Sequence, residues 1–167
     1  MMRTTGSVPP TVIADTNEGY IFCMPTSLTD EAAKDRFAEV ARLMAVAYNA
    51  NAIVMVVEAW ARLPDKNGHL DTNTPPSQAP DRKEIVALML EDRIHSATSL
   101  LPIIRDAGGK FIELASPGPI QFGESEGRFA GLMKGSAPTA EQSAKAKAVL
   151  QQLRLSVVNR GFDPTLN

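Results

Sequence analysis

"AIVMVVEAW", residues 52–60, decides how the rest of this chain is read. Ala52 to Val57 is an unbroken apolar run, β-branched at Ile53, Val54, Val56 and Val57. It is too short for a full helix, and its composition favours a strand. A strand with one wet face alternates apolar and polar residues, whereas a continuous run is what a strand covered on both faces carries. The expectation is a strand buried on both faces, ending at Glu58 and Trp60.

Outward from Trp60 the chain makes a polar excursion over residues 61–83, with Pro64, Pro75, Pro76 and Pro80. A hairpin needs only about two to five linking residues. Prolines lower the entropy lost on ordering, so a long polar loop of this composition suits a docking element. Its anchors are expected to be Trp60, and Glu58 paired with Arg82. "EIVALMLEDR", residues 84–93, follows. Asp81 and Glu84 have capping-box spacing. A helical stripe through Ile85, Leu88 and Met89 would, however, meet Asp92 and Ser96, so the segment reads as a strand. "HSATSLLPII" (95–104) and "KFIELA" (110–115) add strands around a turn at "RDAGG". Pro102 cannot donate to a ladder, which calls for an edge strand or a bulge.

Toward the N-terminus, "TVIADTNEGYIFCMP" (11–25) reads as a hairpin turning at Asn17, Glu18 and Gly19. "SLTDEAAKDRFAEVARLMAVAYNA" (27–50) is a helix capped by Thr29 or Asp30, with an apolar stripe at Ala33, Phe37, Val40, Ala41, Met44 and Tyr48. Toward the C-terminus, residues 116–138 read as a Gly- and Pro-rich loop pinned by Phe122, Phe129, Leu132 and Met133. A second helix is expected from Thr139, with Gln142 completing a capping box. Its stripe is Ala146, Val149, Leu150, Leu153 and Val157, and Arg160 and Gly161 end it. The fold class is therefore α+β: a largely antiparallel sheet of about five or six strands with two helices packed on it, in the order ββαββββα. Residues 11–162 form a single domain between a flexible tail at 1–10 and a short one at 163–167.

The 167 residues carry 44% apolar and 22% charged side chains, an ordinary globular balance. A net charge of -2 argues against a nucleic-acid-binding protein. Cys23 is the only cysteine, so no intrachain disulfide forms and a cytoplasmic location is the default expectation. No apolar run reaches the length of about 18 residues that spans a bilayer.

The chemistry-bearing motifs are incomplete. "GESEGRFAGLMKGS" places Gly135 between Lys134 and Ser136, which breaks the phosphate-loop pattern. "DKNGHLDTN" has glycine at the wrong place for a calcium loop. One cysteine with His69 and His95 makes no closed zinc site, and no nucleophile elbow accompanies the serines. No cofactor or metal is called for. The unusual charges are Glu58, Asp81, Arg82, Glu84, Glu91, Asp92 and Arg93. A carboxylate at the end of an apolar strand needs a partner, and Arg82 or Arg93 is the expected one for Glu58.

Glu58, Ala59, Trp60, Pro76, Ser77, Pro80, Asp81, Arg82, Glu84, Glu91, Asp92 and Arg93 together form an EAW…PS..PDR.E…EDR pattern. It resembles a family of small bacterial and phage proteins to which no activity is assigned. The resemblance covers about a quarter of the chain; it implies a similar small α+β domain and supplies no reaction. The leading expectation is a non-catalytic interaction or accessory protein, bacterial, phage- or prophage-encoded, that binds another protein or itself. The alternative is a small enzyme or ligand-binding domain using a Glu58/Arg82/Asp92 charge cluster. The candidate binding residues are Glu58, Trp60, Asp81, Arg82, Glu84, Asp92 and Arg93.

Overall fold

Among the described residues, alternating and continuous apolar runs become eight strands and two amphipathic segments become helices, the first packed on the sheet and the second on the first. The computed structural model describes residues 6–25, 28–62, 73–123, 128–133 and 135–153, and the backbone of 157–160. The elements are β1 (Thr11–Thr16), β2 (Gly19–Cys23), α1 (Glu31–Ala47), β3 (Ala52–Ala61), a 3-10 turn (Pro76–Gln78), β4 (Lys83–Glu91), β5 (Ser96–Arg105), β6 (Phe111–Leu114), β7 (Gln121–Phe122), α2 (Ala140–Gln152) and β8 (Val157–Arg160). The fold is α+β, as the strand and helix patterns predict. All the strand pairings are antiparallel. The sheet order is β6-β5-β4-β3-β1-β2-β8, with β7 pairing β5 beside β6. Both edge strands of this path, β6 and β8, are four residues long, which limits edge-to-edge pairing.

The β1–β2 hairpin turns at Gly19, whose φ of 115° only glycine adopts freely. α1 then carries the chain over β1, so that β1 lies between β2 and β3. Asp30 is the cap: its carboxylate accepts from the Ala33 N–H at 2.7 Å. Phe37, Val40, Ala41 and Met44 from the helical stripe are buried against the sheet, together with Ala38 and Ala45. α2 packs against α1, and the Ser143 hydroxyl donates to the Val46 carbonyl. The Thr139/Gln142 capping box forms as its spacing predicts.

Four expectations are corrected. α2 stops at Gln152, and the segment expected to complete it pairs as β8 with β2, Cys23 opposite Val157 and Tyr20 opposite Arg160. Within Ala140–Gln152 only Ala146 and Leu150 of its stripe are buried, while Leu153, the C-cap, is 49% exposed. Pro102 lies in a strand flanked on both sides. The edge reading is therefore the one that fails, whereas the bulge reading agrees with a register shift at Ile104/Arg105 of the same strand; the Pro102 carbonyl accepts from Ala115, so its missing donor faces the outer side, between β7 and β6. Residues 6–10 are held rather than free: the Val8 N–H donates to Glu58 at 2.6 Å and the Gly6 carbonyl accepts from Arg105 at 2.9 Å. Residues 1–5, 63–72 (with Pro64 and His69) and 161–167 lie outside the described residues.

The fourth correction concerns β3. It is buried on one face only, at Ile53, Met55 and Val57, where the helices lie. Its other face carries Val54 and Val56, only half-buried. Among the described residues, no helix lies over this second face, and no helix is long and apolar enough to cross a membrane.

Candidate functional site

Cross-strand register places the seven candidate residues at the two ends of the β3–β4 hairpin. Glu58 pairs with Val86, and Trp60 with Glu84. Arg82 stands just before β4 and lays its guanidinium over the Trp60 ring, 4.4 Å from the centroid, while donating to the Ser77 carbonyl. Asp81 receives a two-pronged ion pair from Arg62 at 2.9 and 3.0 Å, which closes the mouth of the long loop. Glu84 receives a second fork, from Arg105, at 2.6 and 2.7 Å. Hydrogen bonds from Arg105 hold the Glu84 carboxyl below the usual carboxylate range, against the opposing effect of partial burial. Glu58 takes its hydrogen bond from Val8, not from Arg82. Arg105 thus ties Glu84 to Gly6, and the strap of residues 6–10 bridges β3 and β5. Val86 and Ile103, between its two anchors, are 3% and 8% exposed.

Asp92 and Arg93 belong to the opposite end. Ten residues of nearly extended chain separate Arg82 from Asp92, about 33 Å. The structure therefore does not bring Glu58, Arg82 and Asp92 into one cluster. Asp92 shapes the β4–β5 turn, accepting from the His95 and Ile94 N–H groups at 2.6 Å each, and these bonds lower its pKa. Arg93 reaches the Ser136 carbonyl and the end of α1 at Asn49 and Ala50. There its charge complements the helix dipole.

Beside them, Glu91 is 6% exposed and accepts from the backbone N–H groups of Gly131, Leu132 and Met133 at 2.7, 2.6 and 3.3 Å. This buried carboxylate fastens the 128–133 loop to the sheet, and Phe129 meets Phe37 edge-on at 6.2 Å. A shallow cleft of about 370 Å³ opens between Glu91, Arg93, His95 and Phe122. Its carboxylates, Glu91 and Asp92, are already engaged by backbone donors. Among the described residues no three His, Cys, Asp or Glu side chains converge as metal ligands would.

The second sheet face is the remaining feature. Register aligns positions 158, Phe22, Ile13, Val54, Leu90, Ala97 and Phe122 in one row across seven strands. The next row is Thr11, Val56, Leu88 and Ser99. Neither row contains a charge. Leu90 is 38% and Phe122 77% exposed, so Phe122 is no anchor for its loop. Arg62, Arg105 and the row itself escaped the reading of the sequence, and Glu91 was marked as an unusual charge but not as the anchor of the 128–133 loop. The row was traceable in principle from the alternation in β1, where Ile13 falls between buried Val12 and Ala14. Aligning it across strands needs the register, which only the folded chain supplies.

Compared with known proteins, the chain matches no family model, no curated protein and no solved structure.

Proposed function

We propose that this protein is a non-catalytic interaction module that docks a protein on its open sheet face. One observation carries the reading: "AIVMVV" has the apolar pattern of a strand covered on both faces, and the described chain covers one. Antiparallel sheets that keep one face in water alternate apolar with polar residues; β3 does not, and its register neighbours extend the apolar face to β2 and β7. A contiguous exposed apolar surface of this kind marks an interaction site. The alternative, chemistry at a Glu58/Arg82/Asp92 cluster, has less support, because those residues stand at opposite ends of the hairpin and each has an internal partner. The EAW…EDR segment resembles small bacterial and phage proteins without an assigned activity and so supplies no reaction; in this reading its residues hold the two ends of the hairpin that carries the docking face.

A photo-crosslinking phenylalanine analogue at Phe122 tests the proposal in the producing cell, with the same label at exposed Glu39 on α1 as control. The expected result is a discrete protein adduct from position 122 and none from position 39. No adduct from 122, or the same adducts from both, overturns it.

A further inference from the structure

We infer that the strap end of the open face is a peptide-binding site that the chain keeps filled with its own residues 6–10. Its external ligand is an extended, uncharged segment of a partner protein, with glycine two residues before an aliphatic side chain. The site lies beside the docking rows and does not depend on them.

The strap is gripped by its backbone. The Glu58 carboxylate accepts from the Val8 N–H at 2.6 Å, and Arg105 Nη1 donates to the Gly6 carbonyl at 2.9 Å. Hydrogen bonds to an ionised partner are stronger than neutral ones, and neither of these two uses a strap side chain. Any segment that offers a carbonyl and, two residues on, an N–H can make both. The spacing suits such a segment. β3 and β5 lie about 10 Å apart with β4 between them, and two residues of extended chain cover about 7 Å. The long side chain of Arg105 closes the difference.

The grip is set without the peptide. Glu84 holds the Arg105 guanidinium through Nε and Nη2 at 2.6 and 2.7 Å, which leaves Nη1 for the Gly6 carbonyl. Glu58 stands on β3 in register with Val86. Groups carried on strands are held more precisely than groups on loops. Between them the bed is apolar: Val86 and Ile103 are buried, and Leu101, opposite Val86, is half-buried. Gly6 has a φ of 68°, which side chains other than glycine's rarely tolerate, so the carbonyl position selects glycine.

The occupant can be exchanged. Residues 6–10 belong to no helix or strand, and none of them is fully buried. They precede β1, so their departure breaks no ladder. Segments with few buried contacts open at low free energy. A tethered segment competes at an effective concentration of about millimolar. The strap therefore excludes weak ligands and yields to a partner segment that also gains contacts on the adjoining rows.

A fluorescently labelled synthetic peptide of residues 4–11, "TTGSVPPT", titrated with the full chain, tests the site by anisotropy. The full-length variant Val8→Pro lacks the N–H that Glu58 holds, so its own strap is loosened. It should bind the peptide at least about tenfold more tightly than wild type, because apparent affinity falls with the fraction of sites left open. The same peptide N-methylated at the valine should bind neither protein. No binding to a folded Val8→Pro chain, equal affinity of wild type and variant, or equal binding of the methylated peptide overturns the inference. If Val8→Pro does not fold, wild type decides: a nitroxide-tagged peptide at high concentration should broaden the methyl signals of Val86 and Ile103 before those of Leu90, and no such selectivity overturns it. None of these outcomes alters the crosslinking expected at Phe122, so this site and the docking role fail separately.

Discussion

Glu91 shows how a single buried charge can organise a loop that has no regular structure. Its carboxylate serves three backbone N–H groups, of which those of Leu132 and Met133 are buried. Glu91→Ala leaves those donors unsatisfied at about 1–3 kcal/mol for each buried group. Urea denaturation should therefore show a loss of about 2–5 kcal/mol; a loss under about 0.5 kcal/mol would mean that the loop holds itself. Glu84 leads to a pH dependence. Its folded pKa lies below the unfolded value, near 4.3. In that window the unfolded chain binds more protons, so stability rises with pH there. The contribution is present above about pH 4.3 and disappears as pH falls through the depressed folded value. Glu31 and Asp92 are lowered too, so Glu84→Gln should flatten the acid limb of stability against pH without abolishing it. Urea midpoints between about pH 3 and 6 measure the slope, and an unaltered limb rejects the role of the Glu84–Arg105 pair. At this scale the sequence marked most of the right charges but assigned them wrong partners. Glu58 ends an apolar strand and needs a donor, which is legible; that the donor is Val8, fifty residues earlier, depends on a strap whose path no local pattern encodes. The separation of Arg82 from Asp92 was legible, since a strand between them keeps them apart.

Elements were read most securely where local chemistry and tertiary packing agree. The hairpin at Gly19, the Asp30 and Thr139 caps and the stripe of α1 are of this kind. α2 shows the limit. Period alone extends its stripe through Leu153 to Val157, yet the β-branched tail pairs with β2, because an open sheet edge offers it a ladder of hydrogen bonds that the helix end does not. The stripe then divides in a measurable way. Leu150→Ala should cost about 2–5 kcal/mol, like Phe37→Ala, since both residues are buried. Leu153→Ala, at a half-exposed C-cap, should fall within about 0.5 kcal/mol of wild type. Equal losses at 150 and 153 in chemical denaturation would restore the longer helix. The same conflict between local and global signals runs through β3, where the apolar pattern promises two covered faces and the described chain provides one.

On the scale of the whole molecule, that imbalance is managed in two ways. The strap of residues 6–10 lies at one end of the open face, and the apolar rows beyond it are left for a partner. Val86 and Ile103, between the strap's anchors on Glu58 and Arg105, are buried, whereas Leu90 and Phe122, away from it, are not. Removing residues 1–8 withdraws the donor to Glu58 and the acceptor for Arg105, and returns two apolar side chains to water. Exposing a fully buried aliphatic side chain costs about 1.5–3 kcal/mol. The truncated chain should accordingly melt several degrees lower, since about 1 kcal/mol shifts the midpoint of a domain of this size by roughly 2–4 °C. It should also bind more of an environment-sensitive hydrophobic dye at temperatures well below the melt. Both effects should persist in a Leu90→Glu/Phe122→Glu variant, because those two exposed positions lie in a row that the strap does not cover. If truncation leaves melting and dye binding unchanged, the burial of Val86 and Ile103 does not depend on the strap. If it changes them only in the chain without the two glutamates, strap and docking strip share one surface, and the division of the open face into a self-covered end and a docking strip fails.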